Sequence, residues 1–230
     1  MEWRSQKGQE RLNNSDAAAI VSFGSVIGIV VVDAAESGQS YEFANLWAKR
    51  CVELVEPEDL FSSESLILKI QSQWRSLRLQ YLYEKASYSL VVVDTKARKG
   101  LLMFVGDVRA GLRAEGEGID WLNLPHTVEF QFLQHDSATE MAVSARHQLT
   151  RCYKAKRFDS PELVPFQWNG SQDLILCTDG YWREHLLDNV LLSDLKDDSS
   201  VLRLSKRIYN PVIDSDVDNF YLQNANVHNS

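Results

Sequence analysis

Residues 27–32 read Ile-Gly-Ile-Val-Val-Val, and a β-strand of that composition has no polar face to turn towards water. It must be covered on both sides, which demands a layered fold rather than an open half-solvated sheet. Residues 173–178, Asp-Leu-Ile-Leu-Cys-Thr, make the same demand near the other end of the chain. With 230 residues, 44% of them hydrophobic, the chain can supply the apolar material for one such core.

The pattern around these strands predicts hairpins. Residues 16–21 and 26–32 are β-rich runs joined across Phe23, Gly24 and Ser25, and residues 88–94 and 101–105 flank the turn-like Lys-Ala-Arg-Lys-Gly. Residues 109–112 are expected to continue that pairing, and residues 127–132 and 220–222 to form further strands. Helical spacing of Phe43, Trp47, Cys51 and Leu54 predicts a helix over 40–55. Leu66, Ile70, Trp74, Leu77 and Tyr81 predict a second over 63–85. Short helices are expected over 182–195 and 199–208. Hairpins and grouped helices exclude the regular strand–helix alternation of a dinucleotide-binding fold. The expectation is an α+β chain with two antiparallel sheets face to face and helices outside. One domain is expected over 9–224, with loose ends at 1–8 and 225–230.

Net charge is −8, without the basic surplus of a general nucleic-acid binder. Cys51, Cys152 and Cys177 are widely spaced and form no thiolate zinc motif. Isolated thiols suit a reducing compartment. The polar first residues lack a signal-peptide core, and no apolar run approaches the length of a membrane span. These features lead to the expectation of a cytoplasmic protein with neither membrane nor nucleic acid as partner. The five histidines show no metal-binding spacing, and His135-Asp136 stands out only as an acid–base pair of unknown position. The basic clusters at 146–151 and 154–157 read as a solvated face, or as a guide for an anionic substrate.

The chemistry concentrates at strand ends. Asp33 follows the first apolar strand, Asp107 follows residues 101–106, and Asp179 follows residues 173–178. Asp16 opens the first strand and Asp218 precedes the last. A single carboxylate in such a place is ordinarily a turn or cap residue. Several at the ends of one sheet converge and repel, and divalent cations relieve that repulsion. An oxygen-only set favours Mg²⁺ or Mn²⁺ over zinc.

In that order the motifs resemble those of the metal-dependent serine/threonine protein phosphatases of the PPM, or type 2C, family. They run through Arg11-Leu-Asn-Asn-Ser-Asp16-Ala17, then Val-Val-Val-Asp33-Ala34, then Gly106-Asp107-Val-Arg109. Leu149-Thr150-Arg151, Thr178-Asp179-Gly180 and Asp218-Asn219 complete the set. The resemblance implies a four-layer αββα sandwich. It implies Asp33 bridging two Mn²⁺ or Mg²⁺ ions, the Ala34 carbonyl as a further ligand, and Asp179 and Asp218 completing the second ion. It places Asp16 behind the metal-bound water, Asp107 at a third, weaker ion, and Arg11 as a clamp on the substrate phosphate. The implied reaction is two-metal activation of water against phosphoserine and phosphothreonine, and the implied partner is a phosphoprotein made by a serine/threonine kinase. The chain departs from the family in Asp33-Ala-Ala-Glu-Ser-Gly38, where the family has Asp-Gly-His-Gly-Gly. That loop leaves open a second reading, a pseudophosphatase acting as a regulatory binding module. A third, a metal-dependent hydrolase of another phosphoester, shares the same residues.

Overall fold

The structure, a computed structural model, describes residues 1–56, 63–133, 145, 147–168, 170–205 and 211–224. Its first sheet holds β2 (Asp16–Phe23), β3 (Val26–Ala34), β4 (Lys85–Asp94), β5 (Lys99–Val105), β9 (Glu162–Gln167) and β13 (Phe220–Asn224). Their order is β13-β2-β3-β4-β5-β9, and the two-residue β8 (Tyr153–Lys154) adds to β4. The second sheet holds β1 (Glu2–Gln6), β6 (Arg109–Arg113), β7 (Ile119–Trp121), β10 (Asp173–Cys177), β11 (Ser199–Leu204) and β12 (Val212–Ser215). Their order is β12-β1-β11-β10-β6-β7. Each sheet is antiparallel apart from one parallel pair, β13 on β2 and β12 on β1.

The strands that read as apolar on both faces are covered on both faces. In β3, Val30 and Val32 turn outward to a core with Phe43, Trp47 and Ile70, while Ile29 and Val31 turn inward against the second sheet. The outer layer on that side is α1 (Ser40–Glu53) and α2 (Ser63–Leu77). In β10, Leu174 and Leu176 face the inter-sheet core, and Ile175 and Cys177 face outward to Trp182. The cover there is thin. It includes α3 (Val128–Leu133) and a π-helix, Gly180–Leu187, whose wide turn shows in the 2.8 Å bond from the Asp188 amide to the Arg183 carbonyl.

Several sequence-based expectations are corrected. Residues 1–8 were expected to be loose, yet β1 lies between β11 and β12, with Trp3 fully buried and stacked on Phe220. Residues 109–112 do not continue the β4–β5 pairing; β6 belongs to the other sheet, beside β10. Residues 128–133 are helical although their apolar residues alternate. Thr127 sits at the helix entrance, its carbonyl accepting from the Gln131 amide and its hydroxyl from the Phe130 amide. Residues 199–204 form a strand because β1 and β10 offer pairing edges on both sides. Helix α2 ends at Leu77, short of the expected 85. Residues 225–230 lie outside the described residues.

Burial of Trp3 makes the opening strand integral to the fold. Trp3→Ala should cost about 3–5 kcal/mol, the range for deleting a buried aromatic. Chemical denaturation measures this, and a loss below about 1 kcal/mol would show that β1 is dispensable.

Candidate metal centre

Sheet pairing gathers the acidic residues at one end of the sandwich. Asp16 and Asp33 are register partners at the ends of β2 and β3. Asp179 follows β10 and Asp197-Asp198 precede β11, and those two strands are paired. Gly180 permits the close approach of the two segments, since a Cβ there would stand 2.2 Å from the Asp198 carbonyl oxygen. Gly106, at φ +96°, turns the chain out of β5, and its Cβ position is taken by the Ser87 hydroxyl. That hydroxyl donates to Asp107 Oδ1 at 2.6 Å.

The result is an open cleft of about 400 Å³. Arg11, Asp33, Ala34, Asp107, Asp179 and Asp197 line it, with Glu36, Ser87 and His147. Asp16 lies behind, buried, and accepts from the Thr178 hydroxyl at 3.0 Å. Asp198 accepts the Gly8 amide at 3.0 Å and the Ser15 amide at 2.7 Å, tying two loops to the cleft wall.

The electrostatics are those of crowded like charges. Burial pushes the Asp33 carboxyl well above the usual carboxylate range, and Asp16, Asp179, Asp107 and Asp197 push it further. Burial and the charge of Asp198 raise Asp16 in the same way. Burial and Asp179 push Asp107 up to about 7, and burial pushes Asp198 up to about 6. Burial also raises Asp197, against the pull of Arg11. Arg11 holds both Asp197 oxygens through Nε and Nη2, each at 2.6 Å, which raises its own pKa.

Of the residues singled out in the sequence, Arg11, Asp33, Ala34, Asp107 and Asp179 share the cleft and Asp16 stands directly behind it. Asp218 is exposed and is not among the residues lining the cleft, and its carbonyl accepts the Tyr41 hydroxyl. Its neighbour Asn219 is a structural clip. The amide nitrogen donates to the Asp16 carbonyl and Ser5 hydroxyl, and the amide oxygen accepts the Trp3 indole. Asp197 lines the cleft with Asp179, and the signal for it was Asp-Asp before an alternating Ser-Ser-Val-Leu-Arg-Leu.

His147, one of the five histidines without a metal-binding spacing, also lines the cleft, and its Nδ1 lies 3.5 Å from Asp179 Oδ2. His135 and His228 lie outside the described residues. Ala34 needs no glycine-like backbone, since the non-glycine residues at positive φ are Arg98 and Asn189. The basic clusters are largely self-neutralised: Arg151 pairs with Glu162, and Lys154 and Arg157 with Asp159.

The donor set suits hard divalent cations, being all oxygen and short of positive charge. Among the described residues, no three acidic, histidine or cysteine side chains stand together as a ready-made coordination sphere. The carboxylates share a cleft but are held apart.

No protein-family model and no curated protein sequence matches the chain. Solved structures do. The serine/threonine phosphatase of S. agalactiae aligns with a TM-score of 0.72 at 15% identity, covering 89% of this chain and 98% of that one. Stp1 from Staphylococcus aureus aligns at 0.68 and 16%, over 88% and 93%. The catalytic domain of PstP, in complex with two manganese ions, aligns at 0.66 and 16%, over 87% and 95%. Another neighbour is the PPM phosphatase MsPP from Mycobacterium smegmatis. The two-sheet architecture is common to all of them, and the chain has the fold of the PPM serine/threonine phosphatases that its motifs resemble.

Proposed function

We propose that the chain is a metal-dependent phosphatase of phosphoserine and phosphothreonine in proteins. The observation that carries this reading is the crowding of carboxylates around Asp33 in an open cleft that also presents Arg11. The manganese-bound PstP neighbour supports the choice of cation. On this reading Asp33, Asp179, Asp197 and the Ala34 carbonyl hold Mn²⁺ or Mg²⁺, and Asp107 serves a third, weaker ion. Such ions supply hydroxide from water near neutral pH and neutralise phosphate charge.

The chain's own groups do the rest. Arg11 grips two phosphate oxygens with the Nε–Nη2 edge that now holds Asp197, a planar bidentate fit. Asp16 orients the floor of the site through Thr178. His147 donates the proton taken up by the leaving serine or threonine oxygen. The catalytic unit spans 2–224, because β1 completes the second sheet. A serine/threonine kinase is the class of enzyme that supplies such a monoester. Three free, buried thiols support a reducing, cytoplasmic setting for this signalling role.

Purified protein should hydrolyse p-nitrophenyl phosphate and a phosphothreonine peptide only with Mn²⁺ or Mg²⁺. Asp179→Asn and Asp197→Asn should each lower kcat at least about 100-fold, while Asp218→Asn stays within about twofold. A well-folded protein with no turnover, and no Mn²⁺ uptake by calorimetry, would leave the regulatory binding module in its place. His147→Gln should lower kcat for the peptide at least about tenfold and leave p-nitrophenyl phosphate nearly unaffected, because nitrophenolate departs without a proton. An equal loss on both substrates would exclude it as the acid.

The raised carboxyls also set a pH dependence. Asp107 and Asp198 keep their protons in the folded state up to about 7 and about 6, whereas the unfolded chain loses them near pH 4. The folded state therefore binds more protons across that window. The contribution of these two groups to stability is full below about pH 4 and is lost as pH rises through the folded values. In chelator, Tm should fall by several degrees from about pH 5 to about pH 8, and Mn²⁺ should restore it at the upper end. A Tm that rises over this range would contradict the carboxylate crowding.

A further inference from the structure

On the outer face of the second sheet, behind the cleft, lies a separate cavity of about 410 Å³, a size that suits a small organic molecule. Trp121 and Trp182 wall it, with Ile119, Leu186 and Leu187 adding apolar surface. Arg109 lines it between the two indoles. Its guanidinium carbon lies 4.1 Å from the Trp121 ring centroid and 5.2 Å from that of Trp182.

Arg109 is only 9% exposed, and among the described residues no carboxylate pairs with it. Its one hydrogen bond there runs from Nη2 to the Asn123 carbonyl at 3.4 Å, and its Nε is buried without a partner. Burial lowers its pKa to about 10. Buried cations are normally paired with anions, and aromatic faces compensate only part of the lost hydration. Arg113 lines the same cavity, with Glu117 as its single carboxylate, so positive charge is in excess there.

We propose that this cavity binds a small aromatic anion, its ring against the Trp121 and Trp182 walls and its acid group on Arg109. A neutral ring would leave the guanidinium unpaired, and a bare anion would leave the apolar walls wet. The metal centre cannot substitute for this site, because carboxylates line it. Binding here therefore does not require Mn²⁺. The Trp182 indole N–H donates to the Asp107 carbonyl at 2.9 Å, so its signal reports on the cavity wall.

The test titrates the full chain, in chelator, with 2-naphthoate while recording the six tryptophan indole N–H signals by ¹H–¹⁵N correlation. Trp121 and Trp182, assigned by Trp→Phe variants, should shift saturably while Trp47 and Trp74 stay still. The neutral isostere 2-naphthamide should bind at least about tenfold more weakly, as loss of a charge-assisted hydrogen bond implies. Arg109→Met should weaken naphthoate by a similar factor. Should Arg109→Met misfold, Gly118→Leu decides. Gly118 lines the cavity, and a Cβ there meets nothing within 4 Å, so leucine fills the space without a clash. Equal affinity for acid and amide, shifts spread over all six indoles, undiminished binding in Gly118→Leu, or no saturation would each overturn the proposal.

Discussion

Repulsion among carboxylates at one end of the sandwich is the constraint around which the rest is arranged. Asp16, Asp33, Asp107, Asp197 and Asp198 all hold protons more tightly than a free carboxyl, and burial is the first cause in each. No local preference would bring such groups together. Strand pairing does, because Asp16 faces Asp33 in the β2–β3 register and β10 lies beside β11. The strands are held in turn by apolar layers on both sides of the first sheet and between the sheets. Burial of that area is the large favourable term, and it sustains a local cluster that is unfavourable by itself.

The cluster is also braced by neutral donors. The Ser87 and Thr178 hydroxyls and the Gly8 and Ser15 amides each satisfy one of its oxygens. These donors lower the cost of each charge without cancelling it, since the net effect remains an upward shift. Among the described residues of the cleft lining, Arg11 reaches Asp197, His147 reaches Asp179, and Lys196 is taken up by Glu10. Asp33 and Asp107 have none of these, so positive charge is most wanted where those two meet.

How legible this was depends on whether the signal was local. Periodicity in residues 27–32 and 173–177 reports burial on both faces, and that was enough to demand stacked layers. Helix α1 was legible because Phe43, Trp47 and Cys51 recur within one helix and face one core. By contrast, β1 and β11 are strands because each is the other's neighbour, across almost 200 residues of chain. No window of sequence contains that pairing. The same gap hid Asp197-Asp198. Asp218-Asn219 has the motif's letters, and Asn219 spends its side chain on Trp3, Ser5 and Asp16. Asp197-Asp198 lacks the letters and lines the cleft. A two-residue motif is set by identity, whereas a site is set by which strand end lies beside which.

Two guanidiniums, one in the cleft at the end of the sandwich and one on the outer face of the second sheet, meet opposite surroundings. Arg11 is half-open and held by both oxygens of Asp197, in a cleft with an excess of carboxylates. Arg109 is buried between indoles, with no carboxylate on it among the described residues. On the proposed reading, an anionic substrate entering the cleft would meet repulsion until cations change the sign of the site. An anion entering the aromatic cavity meets uncompensated positive charge at once. Trp182 reaches from the cavity wall to the backbone of Asp107, which lines the cleft. Two sites with opposite electrostatics are thus joined through one residue. The residue joining them is an indole, which can line an apolar cavity with its ring and hold a polar backbone atom with its edge.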